Sequence, residues 1–266
     1  MKTNCLITGH NGFIGKAVCN RLAREDVGLI GFERDDVEKP GWEKNLADAV
    51  AQSKGIFHIG AISNTDASDV NETMFFNCHF TKVLFDLAAQ NDVPVVYSSS
   101  ASVYGNGNNI PRNLYAWTKK FGEDYGHARL KQFIALRYFN VYGPGESHKG
   151  SQASVAFQAY ANRPNKFKLF PCRPRRDFVY IDDVVEATIK AMCFDGHHTF
   201  DVGTGESRPF EDVLDLLEVP YEYHDRSKIP EWYQFKTRAD STKFVTGWRP
   251  SFFLEDGIES YRKHLK

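Results

Sequence analysis

Two side chains that could move a proton stand one helical turn apart near the middle of the sequence. Tyr115 and Lys119 are four residues apart in the segment YAWTK, and in a helix this spacing places both side chains on one face. A lysine cation beside a tyrosine favours the tyrosinate over the phenol, so Tyr115 could exchange a proton with a substrate hydroxyl. The same Y-x-x-x-K spacing also arises by chance in amphipathic helices, and it therefore needs support from other segments.

Three serines end the strand-like run that comes before this segment. The stretch YSSSASVYG covers residues 97–105, and Ser100 is the last of the consecutive serines. A hydroxyl at the end of a neighbouring strand could hydrogen-bond the same substrate oxygen as Tyr115 and orient it. Ser100, Tyr115 and Lys119 together predict a site that moves a proton to or from a substrate hydroxyl.

A glycine-rich turn near the N-terminus predicts where a cofactor binds. In CLITGHNGFIG, the residues Gly9, Gly12 and Gly15 lie between a predicted strand and a predicted helix. Backbone N–H groups and the helix N-terminus can therefore approach a pyrophosphate. The spacing is G-x-x-G-x-x-G and differs from the G-x-G-x-x-G of ordinary Rossmann dehydrogenases. We expect a dinucleotide at this turn.

Two charged residues bear on the choice of dinucleotide. Glu33 ends the second apolar run, VGLIGF followed by Glu, where a carboxylate can accept hydrogen bonds from the adenosine ribose of NAD. Arg34 comes next and could instead pair with the 2′-phosphate of NADP, or it could be a solvated surface arginine. NAD is therefore the first prediction, and NADP is the alternative.

Short apolar runs alternate with longer helical patterns through the first 143 residues. This alternation is typical of a parallel sheet covered by helices on both faces, and we predict an α/β fold with a Rossmann-type doubly wound sheet. The alternation loosens after residue 145, and shorter elements follow. We predict a dinucleotide-binding domain over residues 1–145 and a smaller α/β substrate-binding domain over residues 146–266, with the segment around 177–203 packing back on the first domain.

The composition argues against several classes of partner. The 266 residues carry a formal net charge of −1, and the longest basic cluster is RPRR at 173–176, so we expect no binding to nucleic acid or to anionic lipid. The five cysteines are odd in number and form no C-x-x-C pair, which is typical of reduced thiols, and we expect no metal site. The sequence has neither a signal-peptide core nor ~20 consecutive apolar residues. We therefore expect a cytoplasmic protein with no membrane span.

Several segments, taken in order, resemble the extended short-chain dehydrogenase/reductase family, which contains the NAD-dependent nucleotide-sugar epimerases and dehydratases. They are TGHNGFIG, HIGA, SSSASVYG, YAWTK, RYFNVYGP, RDFVYIDDV, FDVGTGE and GWRPSFFLEDGI. Within the family, the run HKGSQASVAF is most similar to the ADP-glycero-manno-heptose 6-epimerases. The resemblance implies an NAD(P)-dependent isomerase that oxidises a nucleotide-diphosphate sugar transiently to a ketone and reduces the ketone on its other face. We also expect a homo-oligomer.

The resemblance further implies roles for individual residues. Ser100, Tyr115 and Lys119 would be catalytic, and Lys149, in the loop GPGESHKGS, would be a second acid/base on the opposite face of the sugar. The implied dinucleotide contacts are Gly9, Asn11, Gly12, Phe13, Ile14, Gly15, Glu33, Arg34, Gly60, Ala61, Asn77, Tyr115 and Lys119. The implied substrate contacts are Ser100, Asn140, Ser154, Arg176 and Tyr233.

Two of these residues have alternative interpretations. Lys149 could neutralise a substrate phosphate instead of moving a proton, because an ammonium is a good point charge for that purpose. Arg176 could clamp phosphate oxygens in a bidentate manner or could form a structural ion pair with Asp177 or Asp182.

The sequence also departs from the family pattern. Dehydratases of the family carry an acidic pair directly after the residue that corresponds to Ser100, whereas Ala101 and Ser102 follow it here, so dehydration is disfavoured. The segment between Tyr104 and Tyr115 is shorter than in the family, which could mean a different sugar. The alternatives are a 4-epimerase or a reductase of the same family, or a dinucleotide-binding protein without turnover.

Overall fold

The computed structural model of the chain describes residues 3–64, 69–229, 231 and 233–265. The strands are β1 (Thr3–Thr8), β2 (Val27–Phe32), β3 (Gly55–His58), β4 (Val95–Ser100), β5 (Phe133–Tyr138), β6 (Asn140–Tyr142), β7 (Phe167–Leu169), β8 (Arg175–Arg176), β9 (Phe178–Tyr180), β10 (His197–Val202), β11 (Arg208–Pro209) and β12 (Tyr221–Tyr223). The α-helices are α1 (Phe13–Leu22), α2 (Arg34–Val37), α3 (Trp42–Ala51), α4 (Val70–Met74), α5 (Thr81–Asn91), α6 (Leu114–Arg129), α7 (Val155–Ala161), α8 (Ile181–Ala191), α9 (Phe210–Leu217) and α10 (Leu254–Arg262).

Six parallel strands form the central sheet in the order β2-β1-β3-β4-β5-β10. Side chains alternate between the two faces of the sheet, so that Leu6 and Ile7 of β1 belong to two different hydrophobic clusters. One cluster includes Val18 of α1 and Val184 of α8. The other includes Leu46 of α3, and residues of α5 lie in it as well. The sheet is thus covered on both faces, and the predicted fold class is confirmed.

The strand order reverses between β1 and β3. β2 lies on one side of β1, whereas β3, β4 and β5 follow in order on its other side. A crevice forms at the carboxyl ends of the strands at such a switch point. The backbones approach closely there: a Cβ added at Gly9, whose φ is +70°, would lie 2.5 Å from the Cα of Gly60. Glycine is therefore required at Gly9 both by its backbone conformation and by its neighbour.

The C-terminal part of the chain contributes to two regions of the molecule. α8 lies against α1, and β10 completes the central sheet beside β5. The remaining strands form two-stranded ladders, β6 with β9, β7 with β12 and β8 with β11, and α7 and α10 both contact α9. The division into two domains at residue 145 stays a prediction. None of the helices in the described ranges is long and apolar enough to cross a bilayer.

Candidate active site

A cavity of about 610 Å³ opens at the carboxyl ends of the central strands. The predicted site residues that line it are Gly9, Gly12, Phe13, Ile14, Gly15, Glu33, Arg34, Gly60, Ala61, Ser100, Tyr115, Lys119, Asn140, Lys149 and Ser154. The predicted residues outside this lining are Asn11, Asn77, Arg176 and Tyr233. One cavity therefore joins the glycine turn, the Ser-Tyr-Lys set and the Lys149 loop.

The glycine turn has the geometry of an anion-binding loop. The Gly12 amide donates to the Gly9 carbonyl at 3.1 Å, and α1 begins directly afterwards without a side-chain cap at Gly12. A Cβ added at Gly15 would lie 2.0 Å from the Gly9 oxygen, so the turn closes only with glycine at this position. The first N–H groups of α1 have no side-chain acceptor, and they could hold a pyrophosphate.

Glu33 lies at the end of β2, where it borders the cavity. Its Oε1 accepts a hydrogen bond of 2.6 Å from the backbone N–H of Asn11 and lies 3.0 Å from Nδ1 of His10. Its own backbone N–H donates to Oδ2 of Asp36 at 2.9 Å. Asn11 thus contributes its backbone amide to the orientation of Glu33. The carboxylate is fixed in a place where it could accept ribose hydroxyls.

Arg34 borders the same end of the cavity, but its guanidinium is engaged by other protein groups. Its Nε lies 3.2 Å from Oε1 of Glu38, a second ion pair joins it to Glu72, and its Cζ lies 5.1 Å from the centre of the Phe76 ring. Two carboxylates already partner this cation, so it is poorly suited to receive a 2′-phosphate. The arrangement favours NAD over NADP.

Asn77, predicted to contact the dinucleotide, lies outside the lining of the cavity. It is 2% exposed, within the π-helical segment Phe75–Phe80, and its side chain accepts from the Ile62 N–H at 2.8 Å and donates to the Ile62 carbonyl at 2.9 Å. The amide also donates to Oγ1 of Thr118 at 3.1 Å. Because both ends of the amide form hydrogen bonds within the protein, Asn77 holds the loop after β3 against α6.

Ser100, Tyr115 and Lys119 come together as the sequence predicts, at the end of β4 and the start of α6. α6 begins at Leu114 because the Asn113 side chain accepts from the Ala116 N–H at 2.8 Å. Lys119 donates from Nζ to the Ser98 carbonyl at 2.6 Å, and its Nζ lies 5.9 Å from the centre of the Tyr115 ring. The hydroxyls of Ser100 and Tyr115 and the amine of Lys119 therefore share one end of the cavity.

The electrostatics of this set differ from the expectation in one respect. Burial lowers the pKa of Lys119 to about 7, although the charge of Glu123 acts in the opposite direction. Burial also raises the pKa of Tyr115, while the hydrogen bond with Ser100 works to lower it. Burial of the phenol has the largest effect on the pKa of Tyr115, and its direction is opposite to the expected stabilisation of a tyrosinate by Lys119.

The sequence analysis did not identify Glu123, one helical turn after Lys119. This buried carboxylate accepts two hydrogen bonds from Arg137, at 2.8 and 2.7 Å, and one from Oγ of Ser99 at 2.5 Å. The bidentate pair with Arg137 joins α6 to β5, and the hydrogen bond from Ser99 joins α6 to β4. Its signal in the sequence is an acidic residue four positions after Lys119, on the same helix face.

The Lys149 loop is more ordered than its glycine-rich sequence indicates. Lys149 lies in a 3₁₀ turn, Ser147–Gln152, and its Nζ lies 5.5 Å from the centre of the Phe13 ring at the start of α1. Burial lowers the pKa of Lys149, and the charge of Glu146 works to raise it. The amine is therefore half-buried at the boundary between the glycine turn and the substrate end of the cavity.

Arg176 is a buried cation without a carboxylate partner. Its side chain is 8% exposed, and its Cζ lies 5.1 Å from the Tyr233 ring and 5.5 Å from the Phe210 ring. One donor goes to the Arg175 carbonyl at 3.0 Å, and no ion pair to Arg176 occurs within the described part of the chain, which removes the predicted alternative pairs with Asp177 or Asp182. Phe210 lines the cavity, so the Arg176 guanidinium lies over the ring of a cavity-lining residue.

Two other predicted substrate contacts have partners within the protein. Ser154 caps α7, and its hydroxyl donates to Oε1 of Glu146 at 2.7 Å. Asn140 begins β6 and donates its backbone N–H to the Asp177 carbonyl at 2.9 Å, which leaves its side chain for the cavity. Gln234, which the sequence analysis did not identify, donates to the carbonyl of Gly105 and contacts that of Ala101 at 3.4 Å. The C-terminal segment thus packs on the short loop that follows Tyr104.

Comparisons with known proteins agree with this geometry. The model of the NAD dependent epimerase/dehydratase family matches residues 5–203. An ADP-L-glycero-D-manno-heptose-6-epimerase of Brachyspira hyodysenteriae is 31% identical over 98% of this chain and 97% of its own length. The structure of the Helicobacter pylori ADP-L-glycero-D-manno-heptose-6-epimerase superposes with a TM-score of 0.86 at 25% identity, covering 99% of this chain and 96% of that one. A UDP-glucuronic acid 4-epimerase from Bacillus cereus, solved with NAD, has the same fold, with a TM-score of 0.83 at 21% identity and 99% of both chains covered.

Proposed function

The chain belongs to the NAD dependent epimerase/dehydratase family, and from this premise we propose that it is an NAD-dependent epimerase of a nucleotide-diphosphate sugar. The observation that carries the proposal is the single cavity that brings the glycine turn together with two separate proton carriers, Tyr115 and Lys149. A reductase or a 4-epimerase of this fold would use Tyr115 alone, whereas an epimerase in which the ketone oxygen is protonated on the face that Tyr115 cannot reach would use both groups.

The residues of the chain divide the reaction between them. Bound NAD supplies the hydride acceptor and, in the return step, the hydride donor. In its tyrosinate form, Tyr115 takes the proton from the sugar hydroxyl as the carbon is oxidised and becomes the neutral phenol, and Ser100 orients the sugar oxygen by a hydrogen bond. After the ketone has moved within the cavity, Lys149 delivers the proton to its oxygen from the other side. The glycine turn and Glu33 hold the dinucleotide in place throughout.

NAD is expected to remain bound through purification, because an epimerase regenerates its cofactor in each cycle and the glycine turn and Glu33 are already in position. Mass spectrometry of the small molecules released by denaturing the purified protein tests this expectation.

Isothermal titration of the emptied protein should give an affinity for NAD at least tenfold above that for NADP, about 1.4 kcal/mol, because Arg34 is paired with Glu38 and Glu72. Equal or tighter binding of NADP would contradict the assignment.

Arg176 supports recognition of a diphosphate, because a buried guanidinium with free donors can hold phosphate oxygens in a bidentate manner. Replacing Arg176 by Met is expected to raise the KM for the nucleotide sugar about tenfold or more and to change kcat little. Arg249→Met is the matched control, since Arg249 also lies over an aromatic ring, 5.6 Å from Phe244, but is exposed. An unchanged KM in the Arg176 variant would return this residue to a structural role.

ADP-glycero-manno-heptose is the first substrate to test, because the Brachyspira relative is named for it. The assay follows inversion of ADP-heptose, with UDP- and GDP-sugars alongside. An epimerase returns the hydride that it removed, so neither net oxidation of NADH nor reduction of NAD should accompany product formation. Steady consumption of NADH would identify a reductase instead, and inversion of a UDP-hexose alone would identify a 4-epimerase.

We also propose that the enzyme is a cytoplasmic homo-oligomer. Trp117 is 48% exposed and stacks on Phe121 along one face of α6, with ring centres 6.1 Å apart, and Phe121 stacks in turn on Tyr125. An aromatic stripe of this kind on a surface helix is typical of a subunit contact. All five cysteines are free thiols, which suits a reducing compartment. Light scattering of the purified protein measures the oligomeric state.

A further inference from the structure

Glu146 is a fully buried carboxylate close to Lys149 that has no part in the proposed reaction. Its side chain is 0% exposed, whereas glutamate is almost never fully buried unless it is paired. No lysine or arginine forms an ion pair with it within the described ranges. A charged group in such a place needs other compensation, and its hydrogen bonds supply it.

The carboxylate of Glu146 joins the two ends of the Lys149 loop. Oε1 accepts from the backbone N–H of Gly143 at 3.3 Å and from the Ser154 hydroxyl at 2.7 Å, and Oε2 accepts from the Ser154 N–H at 2.5 Å. The Glu146 carbonyl also accepts the Lys149 N–H at 3.0 Å. Residues 143 and 154 flank the loop that carries Lys149, so one side chain closes it.

A fourth hydrogen bond links this loop to the C-terminal helix. The Tyr261 hydroxyl, on α10, donates to Oε1 of Glu146 at 2.9 Å, and the Tyr261 ring lies 6.3 Å from the ring of Tyr142, just before the loop. All four donors to the carboxylate are neutral groups. The negative charge of Glu146 is therefore not cancelled by an ion pair, and it acts on the Lys149 amine.

We propose that Glu146 is the positioning residue of the Lys149 loop: its carboxylate closes the loop on α10 and places a negative charge, which no ion pair in the described ranges cancels, in the loop that carries the Lys149 amine. The inference rests on the proposed function, because it assigns Glu146 a part in proton transfer through Lys149. Glu146 itself does not line the cavity.

Replacing Glu146 by Gln in the full chain with NAD bound is the central test. The amide keeps the size of the side chain and removes its charge, so Lys149 should lose its proton at a lower pH than in the unmodified enzyme. Acetylation of Lys149 by acetic anhydride is followed against pH by peptide mass mapping, without any sugar present. The pH midpoint of this labelling should be lower in the variant than in the unmodified enzyme. The descending limb of kcat against pH should move in the same direction, because Lys149 must carry a proton to deliver it. We also expect kcat to fall about 10–100-fold, because a small misplacement of a reacting group has an effect of that size.

The other titratable side chains that line the cavity are Glu33, Arg34, Tyr115, Lys119, Tyr138 and His148. His148 is next to Lys149 in the chain, and His148→Gln separates its titration from that of the lysine. Asp183→Asn is the matched control. Asp183 is a residue of α8 outside the cavity lining, its side chain is 3% exposed, and its carboxylate accepts hydrogen bonds from the backbone N–H groups of Ser251 and Phe252 at 2.8 and 2.9 Å. Its loss should lower stability without moving the Lys149 midpoint.

Tyr261→Phe separates the geometric part of the proposal from the electrostatic part and covers the case in which Glu146→Gln does not fold. It removes one hydrogen bond and keeps the charge, so kcat should fall several-fold while the labelling midpoint stays in place. The proposal would be overturned if Glu146→Gln left the pH midpoint of Lys149 acetylation unmoved and had a kcat no lower than that of Asp183→Asn. It would also be overturned if Tyr261→Phe had the kcat of the unmodified enzyme.

The labelling result does not depend on turnover. If Lys149→Met keeps its activity, the proposed proton transfer by Lys149 fails, whatever the Glu146 variants show. If Lys149→Met is inactive while Glu146→Gln leaves both the midpoint and kcat unchanged, the proposed function stands and the role of Glu146 is wrong.

Discussion

Replacing Tyr115 by Phe should reduce turnover about 10²–10⁴-fold and leave NAD affinity close to that of the unmodified enzyme. The substitution keeps the ring, which lies beside Lys119 in the cavity, and removes only the hydroxyl that we propose as the proton carrier. General acid/base groups contribute an effect of this size. The measurement is kcat of epimerisation together with isothermal titration of NAD into the emptied variant.

Tyr125→Phe is the matched control for this substitution. Tyr125 is on the same helix, and its hydroxyl donates to Oδ1 of Asp86 at 2.9 Å, outside the cavity. The control removes one phenolic hydrogen bond from α6 and should keep full activity. Retention of most of the activity by Tyr115→Phe would mean that Tyr115 has a structural role and that the proposed site is wrong.

Replacing Lys149 by Met should lower kcat by about 10²–10⁴-fold with little change in KM and none in NAD binding. The aliphatic chain of methionine can still pack near Phe13, as the lysine does, while the second proton carrier is lost. A lysine that only neutralised a substrate phosphate would give the opposite pattern, in which KM rises and kcat largely survives.

The two constants should be measured with ADP-heptose and with UDP- and GDP-sugars. Lys166→Met serves as the control, because Lys166 is an exposed lysine outside the cavity and its loss removes one positive charge without touching the site. A kcat near that of the unmodified enzyme on the best substrate would assign Lys149 to phosphate binding and would remove the main argument for two-sided proton transfer.

Most of the central sheet could be predicted from the sequence, because its signals are local. Apolar runs of strand length, the glycine turn after β1 and the helical spacing of Tyr115 and Lys119 each depend on a few neighbouring residues. The helical pattern of the sequence over residues 113–130 corresponds to α6, Leu114–Arg129. The apolar run FIALRYFNVYG divides into β5 and β6, because the Phe139 N–H donates to the Val202 carbonyl and the Asn140 N–H donates to the Asp177 carbonyl. Those partners are distant in sequence.

The sequence by itself determined which chemical groups the site contains: a glycine turn, a carboxylate after β2, a serine, a tyrosine and two lysines. The tertiary structure decided how these groups are used. Asn77 holds the loop at Ile62, Arg34 is neutralised by two carboxylates, and Glu146 closes the Lys149 loop. Burial and long-range hydrogen bonds set each of these roles and the pKa directions of Tyr115 and Lys119. Such quantities depend on residues far apart in the chain, and only the folded packing brings those residues together.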